Sequence, residues 1–128
     1  MPKLTGELGP LERSVMDQIW DRDEAVTVRD LVDAPGIRGL AYTTVMTVLD
    51  RLRVKGYVTR RRAGRAYSYR ARISREQYVS SLVGQVFAAS DDRRSVLLGF
   101  ARKIDGEDLG ELRKMLRDVE NERAKRKP

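Results

Sequence analysis

Nine lysine and arginine side chains fall within residues 51–72, at positions 51, 53, 55, 60, 61, 62, 65, 70 and 72, and no carboxylate falls among them. Just upstream stand Thr43, Thr44 and Thr47. Guanidinium and ammonium groups bind phosphate oxygens, while a short side chain with one hydroxyl and one methyl can pair with a base edge or touch a thymine methyl. The chemistry on offer is recognition of a polyanion that carries bases. Bond-making chemistry has few carriers, because the chain contains no histidine and no cysteine. That removes disulfides, thiolates, the usual zinc ligands and the common nucleophile and base pairs, leaving only carboxylate, lysine or tyrosine mechanisms. The acidic groups Asp91 and Asp92, and those of residues 105–108, read as charges at helix amino termini. No catalytic residue, metal ligand or cofactor is expected, and the protein is not expected to be an enzyme.

The threonines need a helix to hold them. In residues 40–56, LAYTTVMTVLDRLRVKG, a period of 3.6 puts Val45, Val48, Leu49 and Leu52 on one stripe. Thr43, Thr47, Asp50 and Val54 point the opposite way, with Thr44 and Arg51 on one flank. Asp50 would repel phosphate, so base reading is expected from the first half of the helix. The second half, with Arg51, Arg53 and Lys55, is expected to anchor on the phosphate backbone. Gly56 stops the helix.

The next segment, YVTRRRAGRAYSYRA, reads as a β-hairpin with strands 58–62 and 66–70 and a tip at Ala63, Gly64 and Arg65. Alternation sends Arg61 to the face opposite Arg60 and Arg62. Arg60, Arg62 and Arg65 are the expected backbone contacts of a wing. The plainer reading is a basic edge strand that discourages aggregation, with Tyr57, Tyr67 and Tyr69 packed beneath it.

Upstream, Leu4, Leu8 and Leu11 lead into a helix that Pro10 can start, with Leu11, Val15, Ile19 and Trp20 on its apolar face. Thr27 caps a second helix over 27–34. Pro35 and Gly36 break it, and a loop through residues 37–39 leads to the threonine helix. Helix, turn, helix and hairpin in that order make a winged helix-turn-helix. Downstream, Ser74 and Gln77 form a capping-box signature for a fourth helix bearing Tyr78, Val79, Leu82, Val83, Val86 and Phe87. Ser90, Asp91 and Asp92 open a fifth, rich in Val96, Leu97, Leu98, Phe100 and Ile104. A sixth repeats Leu109, Leu112, Leu116 and Val119 at coiled-coil-like spacing, and the basic tail 122–128 is expected to be disordered.

The fold class expected is mainly α with a small β-hairpin. Residues 1–73 form a winged-helix DNA-binding domain, and residues 74–128 form a three-helix dimerisation domain with a basic tail. About 50 residues give little material for a closed core, so Leu82, Val86, Phe87, Leu97, Phe100, Leu109, Leu112 and Leu116 are expected at a homodimer interface; an ordinary intramolecular core is the alternative. The chain has 128 residues and a net charge of +7. It starts with no apolar leader and has no apolar run near the roughly 20 residues of a membrane span. A soluble, cytoplasmic protein without membrane insertion is expected.

AYTTVMTVLDRL, with LERSVMDQIW upstream and RAYSYRA in the wing, resembles the penicillinase-repressor family of transcription factors, the BlaI, MecI and CopY group, over nearly the whole chain. The resemblance implies a homodimer that binds two-fold operators in double-stranded DNA and represses by occupying promoters. By position, the family's groove-reading residues fall on Tyr42, Thr43, Thr44 and Thr47, with Arg51 nearby, and Arg65 and Tyr67 fall in its wing motif. In the antibiotic-responsive branch a membrane sensor protease leads to cleavage between an Asn and a Phe. Gly99-Phe100 stands at that place here, without the Asn. The copper-responsive branch binds metal through a cysteine-rich carboxy terminus, which this chain lacks. The function expected is a sequence-specific repressor on a pseudo-palindromic operator. The competing reading, a winged-helix protein-interaction module without specific DNA binding, has the acid-free arginine run against it.

Overall fold

The computed structural model describes residues 7–37 and 39–126; Leu4, Arg38, Lys127 and Pro128 lie outside the described residues. In order they form α1 (Pro10–Trp20), α2 (Val28–Val32), a 3₁₀ turn (Pro35–Ile37), α3 (Tyr42–Lys55), β1 (Val58–Ala63), β2 (Ala66–Ala71), α4 (Arg75–Ala89), α5 (Arg93–Lys103) and α6 (Gly106–Arg126). The fold is mainly α with one antiparallel hairpin.

The boundaries follow local chemistry. Pro10 occupies the first turn of α1, and the Glu12 carboxylate accepts the Gly9 N–H at 2.9 Å. At α2 the Thr27 hydroxyl accepts the Asp30 N–H at 3.2 Å while the Asp30 carboxylate accepts the Thr27 N–H at 3.0 Å. Ser74 and Gln77 make the same reciprocal pair before α4, at 2.8 and 3.0 Å. Asp92 caps α5 by accepting the Ser95 N–H at 3.1 Å. Gly56 ends α3 at φ +91°, a left-handed conformation that costs glycine nothing sterically.

The hairpin pairs Val58 with Ala71 through to Ala63 with Ala66. Each strand is one residue longer than expected, so Ala63 is paired and the loop is only Gly64 and Arg65. Gly64 has φ +66° and Arg65 is not at positive φ, the pattern of a type II′ turn whose twist matches the strands. Val26 adds an antiparallel bridge that the sequence did not suggest, exchanging N–H···O bonds of 2.9 and 2.7 Å with Tyr69. The base of the wing is thereby fixed to the segment before α2.

Val15, Met16 and Ile19 of α1 meet Leu31 of α2, the stripe Val45, Val48, Leu49 and Leu52 of α3, and Val58 and Tyr69 of the wing in one buried cluster. Tyr78 of α4 is buried in it too, its ring centre 5.6 Å from Trp20 and 5.7 Å from Tyr57 in an edge-on contact. Trp20 donates its indole N–H to the Ile73 carbonyl at 2.9 Å. Leu82 also packs against this cluster. The first compact unit therefore runs to Leu82 and the second is Val83–Pro128, whereas residue 73 was the expected boundary. Within the first two turns of α4, Tyr78 is buried in the winged helix and Leu82 packs against its core while Val79 stays exposed, which puts the division inside the helix.

The second unit has no buried residue in α5 or α6. The rings of Phe87 and Phe100 meet edge-on at 6.3 Å. Val86, Leu97, Leu98, Phe100, Met115 and Leu116 stand about half exposed or more. α6 continues to Arg126, where a disordered tail was expected. Its last turn carries Arg123, Lys125 and Arg126, cations that suit the negative end of the helix dipole. Among the described residues no helix is long and apolar enough to cross a membrane.

Lys55 Nζ lies 2.8 Å from the buried Glu12 carboxylate and 3.2 Å from the Glu7 carbonyl, tying the end of α3 to α1. Burial opposes ionisation of Glu12, but the Lys55 and Gly9 hydrogen bonds and the charges of Lys55 and Arg51 outweigh it and hold the carboxyl below its ordinary value of 4.5. A depressed carboxyl pKa stabilises the fold fully above the unfolded value, and that share is lost as pH falls through the folded value. Glu12→Gln is accordingly expected to lower the urea midpoint near pH 7, by a margin that shrinks as the pH is lowered toward 3. A gap constant over that range would contradict the pairing.

Candidate nucleic-acid interface

Burial of the α3 stripe fixes which residues of the helix face outward. Thr43, Thr47, Asp50 and Val54 are exposed, Thr44 is half-buried and Arg51 is exposed on its flank. The other flank carries Tyr42 and Met46, both exposed by nearly half. Met46 had no role in the sequence reading, although its position beside Tyr42 was visible in the periodicity. Thr47 Oγ1 donates to the Thr43 carbonyl at 2.9 Å, so its hydroxyl proton is already used within the helix.

The cations expected to anchor the second half of α3 separate into different roles. Arg53 donates to Asp50 at 2.8 Å, which neutralises the carboxylate that would have faced phosphate. Lys55 points at α1 and is engaged with Glu12. Arg51 alone of the three is exposed and makes no ion pair among the described residues.

Directly paired residues of an antiparallel hairpin share a face. Arg60, Arg62, Tyr67 and Tyr69 therefore lie on the face that begins with buried Val58, and Thr59, Arg61, Ser68 and Arg70 lie on the other. The Arg60 guanidinium is 4.1 Å from the centre of the Tyr67 ring and that of Arg62 is 5.9 Å from it. Arg62 also donates to the Gly64 carbonyl at 3.3 Å. One tyrosine thus orders two exposed guanidinium groups through its negative ring face. Arg65 is exposed at the tip. A cleft of about 420 Å³ between the start of α2, α3 and the wing is lined by Arg29, Tyr42, Met46, Arg65 and Tyr67 among others. The start of α3 and the arginine wing are therefore neighbours on one surface.

Of the residues expected at an interface between copies, Val86, Leu97, Phe100 and Leu116 are exposed, while Phe87, Leu109 and Leu112 are partly buried. Leu82 instead serves the winged-helix core. Gly99 and Phe100 lie in the body of α5, not on a loop, and a Cβ added at Gly99 would meet open space.

A family model described as penicillinase repressor matches residues 8–118. Two relatives, each called transcriptional regulator BlaI, from the CDC 1551 and H37Rv strains of Mycobacterium tuberculosis, are 39% identical over 132 residues, covering 100% of this chain and 95% of theirs. The crystal structure of a Thermotoga maritima transcriptional regulator is 17% identical, covers 94% of this chain and 79% of its own, and superimposes with a TM-score of 0.47.

The split among the cations is measurable on a heparin column and in a thermal melt. Lys55→Ala is expected to lower the melting temperature and leave the eluting salt concentration almost unchanged. Replacing Arg60 and Arg62 together by alanine is expected to do the reverse.

Proposed function

The chain belongs to the penicillinase-repressor family, and we propose that it represses transcription as a cytoplasmic homodimer that binds a pseudo-palindromic operator in double-stranded DNA through its winged helices. The family is one of transcriptional regulators, and the protein is not an enzyme. One observation carries the DNA reading: across a cleft with no carboxylate in its lining, the uncharged outward face of the first half of α3 adjoins a wing whose arginines are ordered on Tyr67. A helix fits the major groove, where Tyr42, Thr43, Thr44 and Thr47 reach base edges. Arg51, Arg60, Arg62 and Arg65 take the phosphates, which gives affinity and salt dependence without sequence choice. Arg53 and Lys55 act from within the protein, the first by neutralising Asp50 and the second by bracing α3 against α1.

The second unit supports the dimer. Three helix segments that expose Val86, Leu97, Phe100 and Leu116, with no buried residue in α5 or α6, need another apolar surface, and a second copy supplies a self-complementary one. Two winged helices so joined would read half-sites separated by roughly 10 base pairs, about one helical turn. Release by a membrane sensor protease acting at Gly99-Phe100 belongs to the same reading. The bond is helical, so α5 has to unwind before cleavage, and Gly99 weakens the helix there by about 1 kcal/mol relative to alanine.

Gel-shift titrations against the protein's own promoter region test the proposal. Thr43→Ala is expected to weaken specific binding more than non-specific binding. Arg65→Ala should weaken both alike and reduce the salt slope by about 1. Binding without sequence preference would overturn the proposal. Leu112→Glu is expected to give monomers by size-exclusion chromatography that bind the operator poorly. An unchanged protein that is monomeric at micromolar concentration would contradict the dimer.

A further inference from the structure

The exposed half of α3 lacks the side chains that most often read guanine and adenine. Arginine or lysine pairs with guanine O6 and N7, and asparagine or glutamine pairs with adenine N6 and N7, each through two hydrogen bonds. Positions 42–50 of this chain, YTTVMTVLD, contain none of the four. Asp50 would be an acceptor for cytosine, but Arg53 already holds its Oδ1 at 2.8 Å and neutralises its charge. Thr47 has committed its hydroxyl proton to the Thr43 carbonyl, which leaves a ligand only the lone pairs of that oxygen and the methyl. Beside it Met46 stands nearly half exposed, as does the ring of Tyr42. Both line the cleft that separates α3 from the wing. Single-point hydrogen bonds from Thr43, Thr44 and Tyr42 remain, beside the apolar surface of Met46 and the Tyr42 ring.

The geometry points to an operator read chiefly through thymine 5-methyl groups, with Met46 and the Thr47 methyl as the residues that set specificity. The methyl is the one apolar feature of the major-groove edge, and it distinguishes thymine from the other three bases. A flexible thioether adapts to the position of a methyl group more readily than a branched side chain does. This inference rests on the repressor reading above and adds the chemistry of the site: half-sites rich in thymine at the positions under the second turn of α3.

The test uses the full-length protein and duplexes it selects from a random pool. Each thymine is replaced in turn by deoxyuridine, which removes only the methyl, and affinity is measured at fixed salt. A loss of about fourfold per contacted methyl is expected, the factor that burying roughly one methylene's worth of apolar surface supplies. Met46→Ala should abolish the thymine-over-uracil ratio at one position of each half-site and Thr47→Ser at another, while Met46→Leu retains it. Because the readout is a ratio within one variant, a loss of folded protein cancels. Specific binding with no uracil penalty anywhere would overturn this inference and leave the repressor standing, as would a penalty that neither variant alters. A pool that yields no preferred sequence would overturn both.

Discussion

Burial of Val45, Val48, Leu49 and Leu52 fixes the rotation of α3 about its axis, and the surface the protein presents depends on that rotation. The stripe is held from several directions: Val15, Met16 and Ile19 come from α1, Leu31 from α2, and Val58 from the wing. A turn of the helix by one residue would expose large aliphatic side chains, each worth about 1.5–3 kcal/mol when buried. The outward row Thr43, Thr47, Asp50 is therefore set by what happens behind it. Lys55 bonded to Glu12 and the left-handed Gly56 then fix where the helix ends and the wing begins.

The charge distribution follows a second constraint, that a cation does one job at a time. The net excess of positive charge suggests a uniformly sticky surface, but several cations are internal fittings. Lys55 neutralises a buried carboxylate, Arg53 covers Asp50, and Arg75 bridges to Asp21 at 2.7 Å across the start of α4. Of the cations on α3 and the wing, those left outward are Arg51 and the wing's own arginines, where Tyr67 gathers Arg60 and Arg62 over one ring. In the proposed operator complex, affinity and specificity fall to different neighbouring groups: the guanidinium groups of the wing to the phosphates, and the methyl groups and hydroxyls at the start of α3 to the bases.

The two units are stabilised in different ways. In the first, an aromatic group of Trp20, Tyr57 and Tyr78 draws α4 into the winged helix, and the Trp20 indole satisfies the Ile73 carbonyl. In the second, the edge-on pair Phe87 and Phe100 is the main aromatic contact among the described residues, and Val86, Leu97, Leu98, Met115 and Leu116 stand about half exposed or more. A surface of that kind costs free energy in water until it is covered. This is the physical basis for reading the second unit as incomplete in a single copy.

The sequence alone determined the elements and their faces, because those depend on local periodicity and on capping chemistry that spans three residues. The stripe of α3, the Thr27 and Ser74 caps, the Asp92 start of α5 and the glycine at the wing tip were all legible. So was the family, since AYTTVMTVLDRL places core and surface residues in one uninterrupted run. The tertiary structure alone decided which partner each long side chain takes. Lys55 and Glu12 are 43 residues apart in the chain, and Val26 and Tyr69 are equally distant, so no local pattern announces either pair. The division at Leu82 was hidden for the same reason: Tyr78 and Leu82 repeat like any amphipathic stripe, and only packing against Trp20 and Tyr57 shows that this stretch of α4 belongs to the winged helix. Periodicity states that a face is buried, whereas the identity of what buries it depends on contacts between segments remote in sequence.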